Sequence, residues 1–238
     1  MRKIGLVGGV SWISTVDYYT HINKGINAQL GGMEFAECII YSVNYGPIQK
    51  NNAANDWDAT YAIIHQACIH LVNAGAEAIL LCANTMHLIA DRLQAKLPVP
   101  IIHIAEVTAK AIQLQGVTKV ALLGTRFTME KDFFKDKLAA LGIEAIIPKE
   151  ADRIFIHQTI NEELGKGIVT PETKSRYLAI SNKLISQGAG GVILGCTEIP
   201  LVIKPGELPV PIFDTALIHS EAAVNFILPL SHSPLYSA

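Results

Sequence analysis

Cys82 and Cys196 are the residues of this sequence best suited to chemistry. Each closes an apolar run, GAEAILLCANTM at residues 75–86 and GGVILGCTEIP at 190–200. The cysteines stand 114 positions apart (82 and 196), and small polar residues follow each: Asn84 and Thr85 after the first, Thr197 and Glu198 after the second. A short, glycine-bounded apolar run reads as a buried strand, and in open parallel sheets ligands bind at the carboxyl ends of strands. Asn and Thr favour helix caps, and the unpaired N–H groups at a helix start stabilise an anion. Both thiols are therefore expected to carry lowered pKa values. Inverting a stereocentre that bears a weakly acidic C–H needs a base on one face and an acid on the other. A thiolate and a thiol can exchange those roles between the two directions. One cysteine at a strand end is usually inert packing; a matched pair tilts the balance toward catalysis. Cys38, in an apolar strand, and Cys68, on an apolar helix face, read as core.

The elements that must position the pair alternate along the chain. Strands are expected at 3–9, 37–43, 76–82 and 100–105, with helices near 14–30, 57–74 and 84–96. The second half repeats the order, with strands at 119–125, 144–149, 191–196 and 211–215 and helices near 129–141, 152–165, 172–187 and 216–227. Such alternation argues for an α/β fold of parallel sheets covered on both faces. Gly8 and Gly124 end the first strand of each half, 116 apart, and PVPI occurs at 98–101 and again at 209–212, 111 apart. With the cysteines, these near-equal spacings predict an internal duplication. Two α/β lobes related by a pseudo-twofold axis are expected, residues 1–99 plus 212–238 in the first and 100–211 in the second.

Bulk composition narrows the function classes. The 238 residues are 50% hydrophobic with a formal net charge of −2. That is enough for one large core or two smaller ones. No basic patch stands out, so nucleic acid is not an expected partner. No run approaches the roughly 20 apolar residues that cross a bilayer, so a membrane is not expected either and a cytoplasmic protein is. Mean hydropathy is +0.32, which suits buried parallel strands. The four cysteines lack C-x-x-C spacing, so neither a zinc site nor structural disulfides are expected. The glycines of GLVGG (5–9) do not make the dinucleotide fingerprint, and no phosphate-binding P-loop is present.

IGLVGGVSW (4–12), CANTMH (82–87), LLGTRFTM (122–129) and GCTEIP (195–200) together resemble the aspartate/glutamate racemase family, over nearly the whole chain. The resemblance implies two flavodoxin-like lobes, an active site between them, a homodimer, no cofactor, and Cys82 and Cys196 as the acid/base pair. Cell-wall glutamate racemases carry Asp-Ser-Gly near the first strand and Gly-Cys-Thr-His at the second cysteine. Here the residues are GGVSW and GCTE, so the sequence is closer to the aspartate racemase branch, with Val10 where that branch usually has methionine.

An amino-acid substrate of this kind brings two carboxylates and an ammonium. The N–H groups of Gly9 and Ser11, with Asn84, Thr85, Thr125, Thr128 and Thr197, are the expected holders of the α-carboxylate; capping and turn formation would use the same residue types. Lys166 matches a substrate-binding lysine of the family and would meet the side-chain carboxylate. A solvated lysine near a helix C-terminus is the alternative. Some aspartate racemases place an arginine in the region of NYGPIQKNN (44–52), read here as a polar loop; this chain offers Gln49 and Lys50, of which Gln49 is the expected contact. Glu198 would hold the ammonium, orient Cys196 or favour a helix start. His87 and His103, in apolar runs, read as packing. Other chemistries remain open in this fold: a maleate cis-trans isomerase, a hydantoin racemase, or a two-lobed binding protein without turnover; the two cysteines argue against a one-cysteine malonate decarboxylase.

Overall fold

The computed structural model describes residues 1–228. The chain divides into two compact units, one of Met1–Cys82, Arg92–Ile102 and the chain from His219 onward, the other of Ala83–Asp91 and His103–Ile218.

The first unit holds a three-stranded parallel sheet of β1 (Ile4–Gly8), β2 (Cys38–Ser42) and β3 (Ala78–Leu81), in the order β2-β1-β3. Ile4 is in register with Cys38 on one side and with Ala78 on the other. Helix α1 (Trp12–Leu30) lays Thr15 over Gly8, and α3 (Trp57–Asn73) lays Leu71 over Gly5, three residues earlier and so on the opposite face. Tyr18, Ile22 and Ile26 of α1 and Ile64, Ala67 and Cys68 of α3 supply fully buried side chains.

The second unit holds a four-stranded parallel sheet of β4 (Lys119–Gly124), β5 (Glu144–Ile146), β6 (Val192–Gly195) and β7 (Ile212–Asp214), in the order β5-β4-β6-β7. Strand alternation splits its core. Ala121 and Leu123 pack with Ile156, Tyr177 and Leu184 of α8 (Glu150–Glu162) and α9 (Pro171–Ser186). Val120 and Leu122 pack with Ile104, Ile112, Phe134 and Leu138 of α5 (Ile104–Leu114) and α7 (Asp132–Ala139). Both faces are thus covered, the arrangement that continuous apolar strands require.

The two sheets share one topology. In place of a fourth strand, the first has a single parallel bridge between Ile79 and Ile101. The Ile79 N–H donates to Pro100 O at 2.9 Å, and the Val192 N–H donates to Pro211 O at the same distance. The repeated PVPI segments therefore do the same work in each unit. The strand expected at 100–105 stops at that bridge because His103 caps α5, its Nδ1 accepting from the Ala105 N–H at 3.2 Å. Helix α5 itself was missing from the expected elements. The segment 44–52, expected as a loop, is helix α2 (Tyr45–Ala53), started by Asn44, whose side chain accepts from the Gly46 N–H. Pro47 lies in its first turn, where no N–H is needed. The helix expected near 84–96 is a 3-10 segment, Asn84–Ile89, running into the short α4 (Ala90–Gln94).

The turn after β1 is the tightest point of the first unit. Gly9 has φ of +87°, and a Cβ there would lie 2.2 Å from Val43 O. Gly9→Ala is expected to cost at least about 2 kcal/mol, from left-handed strain and the clash together. Urea unfolding of the variant against wild type measures it.

Candidate active site

Both cysteines stand one residue past a central or next-to-central strand: Cys82 follows β3, which pairs with β1, and Cys196 follows β6, which pairs with β4. In each sheet this is the third strand in chain order.

In the first unit, Cys82 is 2% exposed. Its N–H donates to Val7 O at 3.0 Å, and its carbonyl accepts from Ser14 Oγ at 2.8 Å. The Gly9 N–H donates to Thr15 Oγ1 at 2.9 Å, so a ligand would have to compete for it. Ser11 caps α1, its Oγ accepting from the Ser14 N–H. Gln49 is exposed on α2.

In the second unit, Cys196 Sγ donates to Glu198 Oε2 at 2.8 Å, and Thr197 Oγ1 donates to the same oxygen at 2.9 Å. Glu198 is buried, so its carboxylate faces the thiol with little water between. The chain after Cys82 enters this unit and joins the same strand ends. Asn84 Nδ2 donates to Thr215 Oγ1 at 3.0 Å, and Thr215 Oγ1 donates to Leu194 O, two residues before Cys196, at 2.8 Å. Among the described residues, Asn84 Oδ1 is the buried side-chain oxygen left without a hydrogen-bond partner. A hydroxyl chain runs from Thr85 to Thr125 (3.1 Å), which caps α6 (Arg126–Glu130), and on to Thr128 (3.2 Å). Close approach at the strand ends makes room for Thr128. A Cβ on Gly195 would lie 2.7 Å from Leu123 O and 3.0 Å from Thr128 Cγ2.

The second unit thus gathers Asn84, Thr85, Thr125, Thr128, Cys196, Thr197 and Glu198 around the ends of β4 and β6. Lys166 lies apart from that hydrogen-bonded group, exposed in a single 3-10 turn, Leu164–Lys166, and without an ion pair among the described residues. Two site residues were not singled out from sequence. Ser14 sits 68 positions from the carbonyl it holds. Thr215 sits 131 positions from Asn84; its sequence signal is the Asp-Thr pair that ends a strand and opens α10 (Thr215–Ile227).

The expected lowering of the thiol pKa values is overturned. Burial pushes the Cys82 thiol well above the usual 9.0. Burial first, and then the Glu198 charge, push Cys196 well above it too. The physical reason is local. Each cysteine is followed by a 3-10 segment with no side-chain cap, Asn84–Ile89 or Ile199–Leu201; the Thr197 and Glu198 N–H groups do favour the Cys196 thiolate, but burial and the Glu198 charge outweigh them. Desolvation of the thiolate then dominates. The other two cysteines differ: Cys68 is fully buried core, its thiol pushed up to about 12, whereas Cys38 is only half-buried on β2. His87 and His103 are buried edge to face at 4.7 Å. His87 Nδ1 accepts from the Ile104 N–H while His103 caps α5, so both serve the start of one helix.

No helix among the described residues is long and apolar enough to cross a membrane. The model of the Asp/Glu/Hydantoin racemase family matches residues 7–223. The chain is 26% identical over 231 residues to the broad specificity amino-acid racemase RacX of Bacillus subtilis, covering 94% of this chain and 98% of that one. Among solved structures, it is similar to a Yersinia pestis protein classed with the Asp/Glu racemases, at 43% identity and TM-score 0.91, covering 96% of this chain and 100% of that one. It is also similar to an aspartate racemase homologue from Pyrococcus horikoshii, at 36% identity and TM-score 0.82, covering 95% and 99%. Two cysteine-ended parallel sheets of one topology, and matches along nearly the whole chain, lead to one conclusion: the chain belongs to the Asp/Glu/hydantoin racemase family.

Proposed function

We propose that this protein racemises an acidic α-amino acid, aspartate or glutamate, with Cys82 and Cys196 as its two acid/base groups. The observation that carries this is positional: in two sheets of the same topology, a cysteine follows the same strand. One thiolate removes the α-proton and becomes a thiol. The electron pair passes onto the α-carbon and its carboxylate. The other thiol then delivers its proton to the opposite face and becomes the thiolate. No atom is gained or lost, and the pair ends ready for the reverse direction.

The second unit supports the substrate class. The unpaired buried Asn84 Oδ1 suits an ammonium donor. The Thr85–Thr125–Thr128 hydroxyls suit a carboxylate. Glu198 is committed to Cys196 and Thr197, which favours its role as orienter of the thiol over that of ammonium holder. Lys166 and Gln49 are the groups proposed for the side-chain carboxylate. A second reading is a wider substrate range. RacX of Bacillus subtilis is a broad specificity racemase, and the region 44–52, where some aspartate racemases place an arginine, here offers Gln49 and Lys50.

Proton NMR of the protein with L- and D-aspartate in D₂O tests the proposal. The α-proton signal is expected to disappear, with chiral analysis showing inversion. Cys82→Ser and Cys196→Ser are each expected to lower kcat at least about 100-fold. Normal racemisation by both variants would sink the two-thiol mechanism. A panel of glutamate, neutral amino acids, hydantoins and maleate separates the alternatives.

The raised thiols set the pH dependence. Both are protonated at neutral pH, whereas turnover needs one thiolate. The sign is therefore a rise of kcat/KM with pH, about tenfold per unit from pH 7 toward 9, until the second thiol also ionises. A pH–rate profile flat across that range would contradict it. Glu198→Gln removes the nearby charge while keeping an acceptor for Sγ–H. The pH at which Cys196 becomes open to alkylation is expected to fall, with Cys82 unchanged, as peptide mass spectrometry would read.

A further inference from the structure

Helix α1 carries two buried polar side chains one turn apart, Ser14 and Tyr18, each almost fully excluded from solvent. Ser14 Oγ donates to the Cys82 carbonyl at 2.8 Å. Tyr18 Oη meets His219 Nδ1 at 2.7 Å, and His219 Nε2 meets Ile102 O at 2.7 Å. A carbonyl only accepts, so the His219 proton sits on Nε2 and, in the neutral ring, Nδ1 accepts from Tyr18. Cys82, Ile102 and His219 are the residues where three segments of the first unit begin or end. One turn of one helix therefore holds all three.

The two ends held by their carbonyls, Cys82 and Ile102, are also fixed from the sheet. The Cys82 N–H donates to Val7 O at 3.0 Å, and the Ile102 N–H donates to Ile79 O at 3.0 Å. Cys82 thus has its N–H tied to β1 and its C=O tied to α1. With both peptide groups held, its Cα–Cβ direction is set, and the thiol has only its χ1 rotation left. Buried polar bonds of this sort are costly to leave half-made, so the chain has little freedom to swing Cys82 aside.

We infer that Ser14 is a positioning residue for Cys82, braced through Tyr18 and His219, and that this α1 clamp sets the direction of the Cys82 thiol. The function given to Cys82 rests on the racemase reading; the clamp itself does not.

Two readouts test it separately. The first needs no substrate: the rate at which iodoacetamide alkylates each cysteine, followed by peptide mass spectrometry. In Ser14→Ala, Cys82 alkylation is expected to rise about tenfold, the loss of one buried hydrogen bond, with Cys196 unchanged. Tyr18→Phe, which loosens the same turn from its other end, is expected to move Cys82 in the same direction. Thr108→Val, which removes a buried hydroxyl that only bonds Ile104 O within α5, is expected to change neither site. The second readout is the primary isotope effect on kcat/KM with α-deuterated aspartate in both directions. If Ser14 acts through Cys82, the effect grows in the direction where Cys82 removes the proton and shrinks in the other. Loss of folded enzyme alone cannot produce such a split.

Cys82 alkylation unchanged in folded Ser14→Ala, or Cys82 and Cys196 rising together, overturns the clamp. Lowered activity with isotope effects equal to wild type in both directions overturns it as well. A wild-type protein that exchanges no α-proton would instead overturn the racemase reading, and the alkylation result would still decide the clamp.

Discussion

In a parallel sheet every strand ends at the same edge. That constraint organises this protein more than any single contact. Because all carboxyl ends lie together, whatever follows the strands is collected without further design. Cys82, Gly9 and Ser11 follow strands of the first sheet, and Cys196, Thr197, Glu198 and Thr125 follow strands of the second. The apolar runs that bury the sheet and the polar residues gathered at its edge are therefore one device. Burial on both faces fixes the strands, and the fixed strands present their ends.

The same burial has an electrostatic price. A thiol at the end of a fully buried strand inherits the strand's low dielectric, and Cys82 is kept neutral by it. Cys196 is kept neutral by burial and by the carboxylate that it bonds. A racemase needs near-equivalent acid and base groups. Two thiols raised alike, one of which gives up its proton before turnover, would meet that need better than one thiol held far below the other, because proton transfer would run in both directions with little bias.

Much of this was legible in the sequence, and what was not has physical reasons. The strands and their terminal cysteines could be read because short apolar runs bounded by glycine have few other uses. The repeat could be read from PVPI, and the structure shows why it recurs: Pro100 and Pro211 offer carbonyls to equivalent N–H groups. Helix α2 was hidden because NYGPIQKNN has the composition of a turn, although Asn44 caps it and Pro47 sits where helices tolerate it. The strand expected at 100–105 was a misplaced helix start, since an imidazole cap on α5 is not a common cap signal. The thiol pKa direction differs from the sequence expectation because the depth of burial at the strand ends, which the sequence does not show, outweighs the N–H groups that follow them. Partners such as Ser14 for Cys82 and Thr215 for Asn84 lie across dozens of residues that only the fold brings together.

Protonated, shielded sulfur also has a consequence for durability. The thiolate is the form that attacks peroxide and other electrophiles, and reactivity follows thiolate character and exposure. Cys82 offers almost no exposed surface, and Cys196 shares its proton with a carboxylate that repels incoming anions. Cys82 is thus shielded by burial, whereas Cys196, only partly buried, relies on holding its proton. A thiol that is slow to ionise is, for the same reason, slow to be oxidised.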